Sequence, residues 1–328
     1  MNNRVVITGT GVISPIGNST NQFWNNLING TNGVDLISLF DTEEFNVKIA
    51  AEVKIKLDDY FTTKELNKID RFTAFAIIAA DEAIKNSNIS KENSNKDRIG
   101  VIIGSGIGGI NTFEKQHKRL LKSPKKVSPY FIPTMISDIA SGHISIKHDF
   151  TGINYCVVSA CATGSHAIGD AYKMIKYGDA DAIIAGGSES GISPISIAGF
   201  SNMKALTKNS DIDSACRPFD LNRDGFVMGE GAGILVLESL QNATNRNATI
   251  YGELVGYGAS ADAYHLTQPD PDGKGALASM NIALNEAQIN PSSIDYINAH
   301  GTSTKFNDKI ESNAIKSLFK KHAYNVSI

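Results

Sequence analysis

Tyr155-Cys156-Val157-Val158-Ser159-Ala160-Cys161-Ala162-Thr163-Gly164-Ser165 runs without a break into residues 166–177, and this stretch decides the fold. Its opening is apolar and β-branched, as a buried strand requires. Its continuation sets Ile168, Ala171, Met174 and Ile175 at helical spacing and stops at Gly178, a residue suited to ending a helix. The residues between are small, so strand and helix are predicted to meet in a sharp turn with Cys161 inside it.

Working outward, further strands are predicted at residues 5–8, 100–103, 182–185 and 233–237, and again at 250–255 and 294–298. A second helix is predicted over 72–85, and the Asn/Ser/Lys-rich stretch 86–96 reads as a solvated loop. Strands alternating with helices indicate an α/β protein with mainly parallel pairing. The chain divides into a first α/β unit, residues 1–248, and a second, residues 249–328. Residues 325–328 have the character of a further strand. No repeat is evident in the sequence, so any internal duplication has to be structural.

The 328 residues are 41% hydrophobic and 20% charged, enough for a large buried core. A formal net charge of -3 argues against general nucleic-acid binding but leaves room for a local basic patch. Cys156, Cys161 and Cys216 show neither metal-ligand spacing nor the density of a disulfide scaffold. The start carries no signal-peptide pattern and no apolar run reaches the ~18 residues of a membrane span. A soluble, cytoplasmic protein is expected.

Two motifs invite misreading. Gly104-Ser105-Gly106-Ile107-Gly108-Gly109 satisfies G-x-G-x-x-G after a strand. No acidic residue ends a second strand about 20 positions later, so a dinucleotide site is rejected in favour of close backbone packing. Asp220-Leu221-Asn222-Arg223-Asp224-Gly225 copies the opening of an EF-hand loop. Its twelfth position is Gly231 where a bidentate Glu is needed, and Arg223 puts a cation inside the cage. A turn held by Asp and Asn side chains is expected there instead.

A helix N-terminus lowers the pKa of a nearby thiol from about 8.5 and favours the thiolate. On local grounds Cys161 is therefore a candidate nucleophile, with an inert buried thiol as the equal alternative; Cys156, inside the strand, fits the inert reading. His300 lies in Asn298-Ala299-His300-Gly301-Thr302-Ser303-Thr304, where a strand gives way to a loop of small hydroxyl residues. That places it well for a ligand, although a lone histidine is more often structural. Of the others (His117, His143, His148, His166, His265 and His322), only His265, in 262–267, has a comparable setting. His166, one turn past the cysteine, reads as capping or packing.

Cys161 in its elbow, Arg217-Pro218-Phe219-Asp220 with Arg223-Asp224-Gly225-Phe226-Val227, residues 262–267 and residues 298–304 together resemble the β-ketoacyl-acyl carrier protein synthases. The likeness starts at Val5-Val6-Ile7-Thr8-Gly9-Thr10-Gly11 and continues to the last residue. Gly229-Glu230-Gly231-Ala232-Gly233 and residues 262–267 look more like the type II elongation enzymes than type I.

The resemblance implies a thiolase-like fold, layered α-β-α-β-α from two pseudo-duplicated units, in a homodimer. It implies Cys161 as the acyl-accepting nucleophile and His300 as the donor to the malonyl thioester. Thr267, Thr302 and Thr304 would contact the pantetheine arm, and Ile107 and Phe200 would border the acyl tunnel. Lys64, Lys68, Lys125, Lys126 and Lys204 match basic positions of the family's docking face for acyl carrier protein. No metal or separate cofactor is implied, and neither nucleic acid nor membrane is a partner.

The family's second histidine, a lysine and a glycine-rich segment with a gating phenylalanine would follow Ile328. A chain without them is expected to be impaired in condensation. Residues 304–308 also depart from the family, which usually has proline and small residues after the threonine. The alternatives are a non-catalytic partner resembling chain-length factors, against which Cys161 speaks, and a thiolase or coenzyme-A-dependent initiating synthase, against which residues 300–304 speak.

Overall fold

The computed structural model describes residues 2–328. Contacts divide the chain into two compact units, neither continuous in sequence. The first comprises the chain up to Phe40, Ala50–Ile197 and Gly229–Leu254; the second comprises Asp41–Ile49, Ala198–Met228 and Val255–Ile328.

The first unit is built on a six-stranded sheet. Its strands are β1 (Val5–Ile13), β2 (Ile99–Gly104), β3 (Asn154–Tyr155), β4 (Ala182–Ser190), β5 (Glu230–Ser239) and β6 (Gly252–Leu254), in the order β3-β2-β4-β5-β1-β6. The helices used below are α1 (Arg71–Ser87), α2 (Ile110–Leu120), α3 (Ile139–His148), α4 (Thr163–Tyr177), α5 (Lys274–Ala287) and α6 (Lys305–Phe319).

The parallel expectation holds only on one side of the sheet. β2 pairs in parallel with β3 and β4, whereas β4–β5, β5–β1 and β1–β6 are antiparallel. The reason lies in the excursion between β4 and β5. The chain leaves the sheet after Ser190 and re-enters at Glu230, its direct partner in the ladder, so β5 must run back along β4. The strand expected at 250–255 forms as β6 and joins this same sheet beside β1.

α1 explains why β1 runs past its glycines. A Cβ at Gly9 would lie 2.2 Å from the Ala83 carbonyl oxygen, and one at Gly11 1.8 Å from that of Ala79. Helix and strand thus meet backbone to backbone, with Ala76, Ala79, Ala80 and Ala83 buried. Asp70 caps the start of α1 through the Phe72 N–H, and Asn88 ends it with φ 55°. Ala182 and Ile184 of β4 join Phe72, Phe75 and Ile144 in the core on this face. Strand alternation sends Ile183, also fully buried, to the opposite face. There Gly187 and Gly164 bring β4 and α4 together, a Cβ on Gly187 falling 3.1 Å from Gly164 Cα.

The second unit packs α5 with α6. Gly256 and Gly258 approach α5 closely; a Cβ on each would lie 2.3 Å from the Ala283 oxygen and 2.0 Å from the Ser279 oxygen. The strand expected at 294–298 is reduced to one parallel bridge, Tyr296 to Ser327. Two hydrogen bonds hold it: Ile297 N–H to Ser327 O at 2.8 Å and Ser327 N–H to Asp295 O at 3.0 Å. Among the described residues no helix is long and apolar enough to cross a membrane.

Candidate active site

The strand leading to Cys161 is shorter than expected: pairing ends at Tyr155, and Val158 is already exposed. The chain then turns through Ala160, which holds φ 50°, a left-handed conformation that costs a residue with a Cβ about 1–2 kcal/mol. Such strain persists where its surroundings enforce it. Two side chains of α4 do so here. Thr163 Oγ1 accepts the Ser159 N–H at 2.8 Å, and His166 Nδ1 lies 2.6 Å from Ser159 Oγ. Cys161, solvent-exposed, sits in the single turn Ala160–Ala162 whose last residue is the N-cap of α4. His166 therefore braces the elbow.

The elbow comes this close to the sheet because of the glycines after β2. A Cβ at Gly104 would fall 2.3 Å from Thr163 Cγ2. The rest of that loop wraps a carboxylate from its own chain. Glu189 accepts Ser105 Oγ–H at 3.1 Å and the N–H groups of Gly106 and Ile107 at 2.7 and 3.1 Å. Burial pushes the Glu189 carboxyl above its ordinary value even against these donors. The N–H groups that a dinucleotide phosphate would use are thus turned on Glu189. Ile107, on the loop's tip, is 41% exposed. Cys156 is half-buried, and burial raises its thiol pKa.

In the second unit, His300 is exposed and its backbone is held from below. Glu311 of α6 accepts the His300 N–H at 2.7 Å on one oxygen and the Gly301 N–H at 2.9 Å on the other. Thr302 and Thr304 come together, their hydroxyl oxygens 2.9 Å apart. Thr304 is the N-cap of α6, its Oγ1 accepting the Asn307 N–H. Lys305 then occupies the first helical position, where proline is also favoured, so the departure from the family preserves the helix start. Thr267 is exposed, and its N–H and that of Gln268 both donate to His265 Nδ1. Phe200 packs edge-on against Phe226 at 5.8 Å.

The EF-hand look-alike is a set of turns. Asp220 Oδ1 accepts the Asn222 N–H, and Asp224 accepts from Thr207 Oγ1 and Lys208 N–H. Among the basic residues, Lys68 lies over the Tyr130 ring at 4.9 Å and its carbonyl accepts Thr134 Oγ1–H. That sets it beside the segment following Lys125 and Lys126, which project from the turn Pro124–Lys126. Lys64 is on the short helix Thr63–Leu66, and Lys204 is an exposed left-handed residue of the second unit. Sequence reasoning missed Glu189 and Glu311. Neither carries a sequence signal beyond its acidic side chain.

A reactive-looking cysteine at a strand-to-helix elbow, on an α/β scaffold with a histidine loop, is the pattern of an acyl-transferring condensing enzyme, and comparison agrees. The N-terminal domain family of β-ketoacyl synthases matches residues 2–243 and the C-terminal domain family matches residues 251–328. The chain belongs to the β-ketoacyl synthases. It is 50% identical to "3-oxoacyl-[acyl-carrier-protein] synthase 2" of Staphylococcus aureus (strain N315), over 100% of this chain and 80% of that protein. The enzyme of the same name from Coxiella burnetii is 48% identical, over 99% of this chain and 79% of that protein. Among solved structures, a type II PKS acyl-carrier protein in complex with its ketosynthase bound to the hexaketide gives a TM-score of 0.91 at 35% identity, over 100% of this chain and 81% of that one. A β-ketoacyl synthase from Burkholderia phymatum gives 0.87 at 32%, over 97% of this chain and 78% of that one. The fold is the thiolase-like fold of the ketosynthases.

Proposed function

We propose that this chain elongates acyl chains carried on acyl carrier protein, with Cys161 as nucleophile and His300 as electrophilic donor. The Cys161 thiolate attacks the acyl thioester, and the pantetheine sulfur leaves as a thiolate that takes its proton from solvent, so the condensation is split into two easier steps. Malonyl-carrier protein then loses CO2. The resulting enolate carbon attacks the acyl-Cys161 thioester and expels the thiolate, giving a β-ketoacyl product two carbons longer. Negative charge builds on a thioester oxygen in both halves, so donors aimed at it dominate catalysis. The Cys161 N–H serves the acyl oxygen and the His300 side chain the malonyl oxygen. Thr267, Thr302 and Thr304 take the pantetheine arm, and Ile107 and Phe200 border the acyl chain. The enzyme acts in the cytoplasm as a homodimer and needs no cofactor beyond the carrier's own arm.

One observation carries this reading: Cys161 is exposed at a strained, braced elbow before a helix. Iodoacetamide near pH 7, with modified peptides mapped by mass, is expected to label Cys161 well before Cys156 and before Cys216. Cys161→Ala is expected to abolish loading from acyl-carrier protein. Equal labelling of all three thiols, or undiminished loading of the variant, would favour a non-catalytic partner subunit instead.

A further inference from the structure

Arg223 reaches the segment after His300 with two of its three guanidinium nitrogens. Its Nε–H donates to Thr304 O at 2.9 Å and one terminal nitrogen to Lys305 O at 2.6 Å, while the other returns to Asp220 O at 2.8 Å. Nε also lies 3.3 Å from Asp308 Oδ2, whose side chain is 1% exposed. Asp308 accepts the Phe219 N–H at 2.8 Å as well. Ser303 is wholly buried with φ 61°. Its carbonyl accepts the Gly225 N–H at 2.9 Å, and its hydroxyl accepts the Arg217 N–H at 3.1 Å. Residues 217–225 thus form a mould for residues 301–308, and the mould explains how Ser303 keeps a left-handed conformation that costs about 1–2 kcal/mol.

We propose that Arg223 is a positioning residue for the condensation, holding His300, Thr302 and Thr304 in their working geometry through Thr304, Lys305 and Asp308. This rests on the reading of His300 as the donor to the malonyl thioester. The planar fork of a guanidinium, with donors on three separate nitrogens, can serve three carbonyls and a carboxylate at once; a lysine ammonium, with three donors on one atom, cannot span them. Removing the cation also leaves Asp308 buried without its partner.

The test uses Arg223→Gln and Arg223→Lys, with His300→Ala as control, in histidine-labelled protein. The His300 side-chain NMR signal is followed without substrate. Loading of Cys161 from acyl-carrier protein and CO2 release from malonyl-carrier protein are then measured separately. Both Arg223 variants are expected to shift the His300 signal and its titration, and to slow CO2 release about ten- to a hundredfold. Loading should stay within about twofold of the parent, and Lys should retain more activity than Gln. An unchanged His300 signal and CO2 release overturn the proposal. So does an equal fall of loading and CO2 release in both variants, which marks general loss of fold. If the Gln variant does not fold, the Lys variant decides by the same two outcomes. Full CO2 release by His300→Ala defeats the donor reading of His300, while a shifted His300 signal in the Arg223 variants still upholds the positioning.

Discussion

Gly104 shows how much of the chemistry hangs on one missing side chain. Its Cα faces Thr163, the residue that accepts the Ser159 N–H and so pins the elbow. Gly104→Ala would drive a methyl to within 2.3 Å of Thr163 Cγ2 and 3.0 Å of its carbonyl oxygen. Overpacking of this kind typically costs about 1–3 kcal/mol. The displacement of Cys161 is expected to matter more, since a shift of about 1 Å at a reacting group can cost about a hundredfold in rate. Stopped-time alkylation of Cys161, beside a thermal melt, separates the two effects; an unchanged alkylation rate would disprove the coupling. The elbow around Cys161 and the loop around His300 were legible in the sequence because each is local, a few residues either side. Glu189 was not, because the groups that define it, Ser105, Gly106 and Ile107, lie more than 80 residues away. Glu311 meets His300 only because a helix turns back beneath the loop.

At the level of elements, periodicity found α1 within two residues at each end, found α4 but missed its first three residues, and found the central strands. It failed on strand direction, since direction depends on where the 191–229 excursion returns and not on the residues within β5. It failed again at 294–298, where an apolar run has a strand's composition but only one bridge to pair with. The contact of α1 with α3 supplies a pH prediction. Burial works to raise the Asp81 carboxyl, but hydrogen bonds from His148 and Lys147 outweigh it and leave the pKa below its ordinary value. A depressed carboxylate contributes stability above its unfolded pKa, and that contribution is lost as pH falls through the folded value. Asp81→Asn should therefore lower the thermal midpoint at neutral pH and narrow its gap from the parent in acid. A gap that stays constant from neutral to acid pH would remove the pair from the account.

For the whole molecule, a net charge of -3 makes attraction of an acidic carrier a matter of local charge. Lys68 beside Tyr130 links the helix bearing Lys64 to the turn bearing Lys125 and Lys126. Reversing Lys125 and Lys126 to Glu is expected to weaken binding of acyl carrier protein and to flatten its dependence on salt. Titration calorimetry at two ionic strengths measures both, and unchanged affinity at low salt would exclude this face. The two units also share a device that no sequence repeat announced: glycines two apart lie against successive turns of a helix, Gly9 and Gly11 on α1, Gly256 and Gly258 on α5. The likeness between the units is visible in packing, where each glycine is dictated by a facing carbonyl, and not in any repeat of sequence.

The second unit is assembled from three separate lengths of chain, Asp41–Ile49, Ala198–Met228 and Val255–Ile328. On the ribosome these emerge at different times. At about 5–20 residues per second, residues 41–49 wait on the order of 10–40 s before residue 255 is made. The sheet of the first unit has its own interval, because β5 and β6 arrive only after the excursion has been synthesised. The earliest-made part of the second unit therefore waits longest for the rest of that unit to exist.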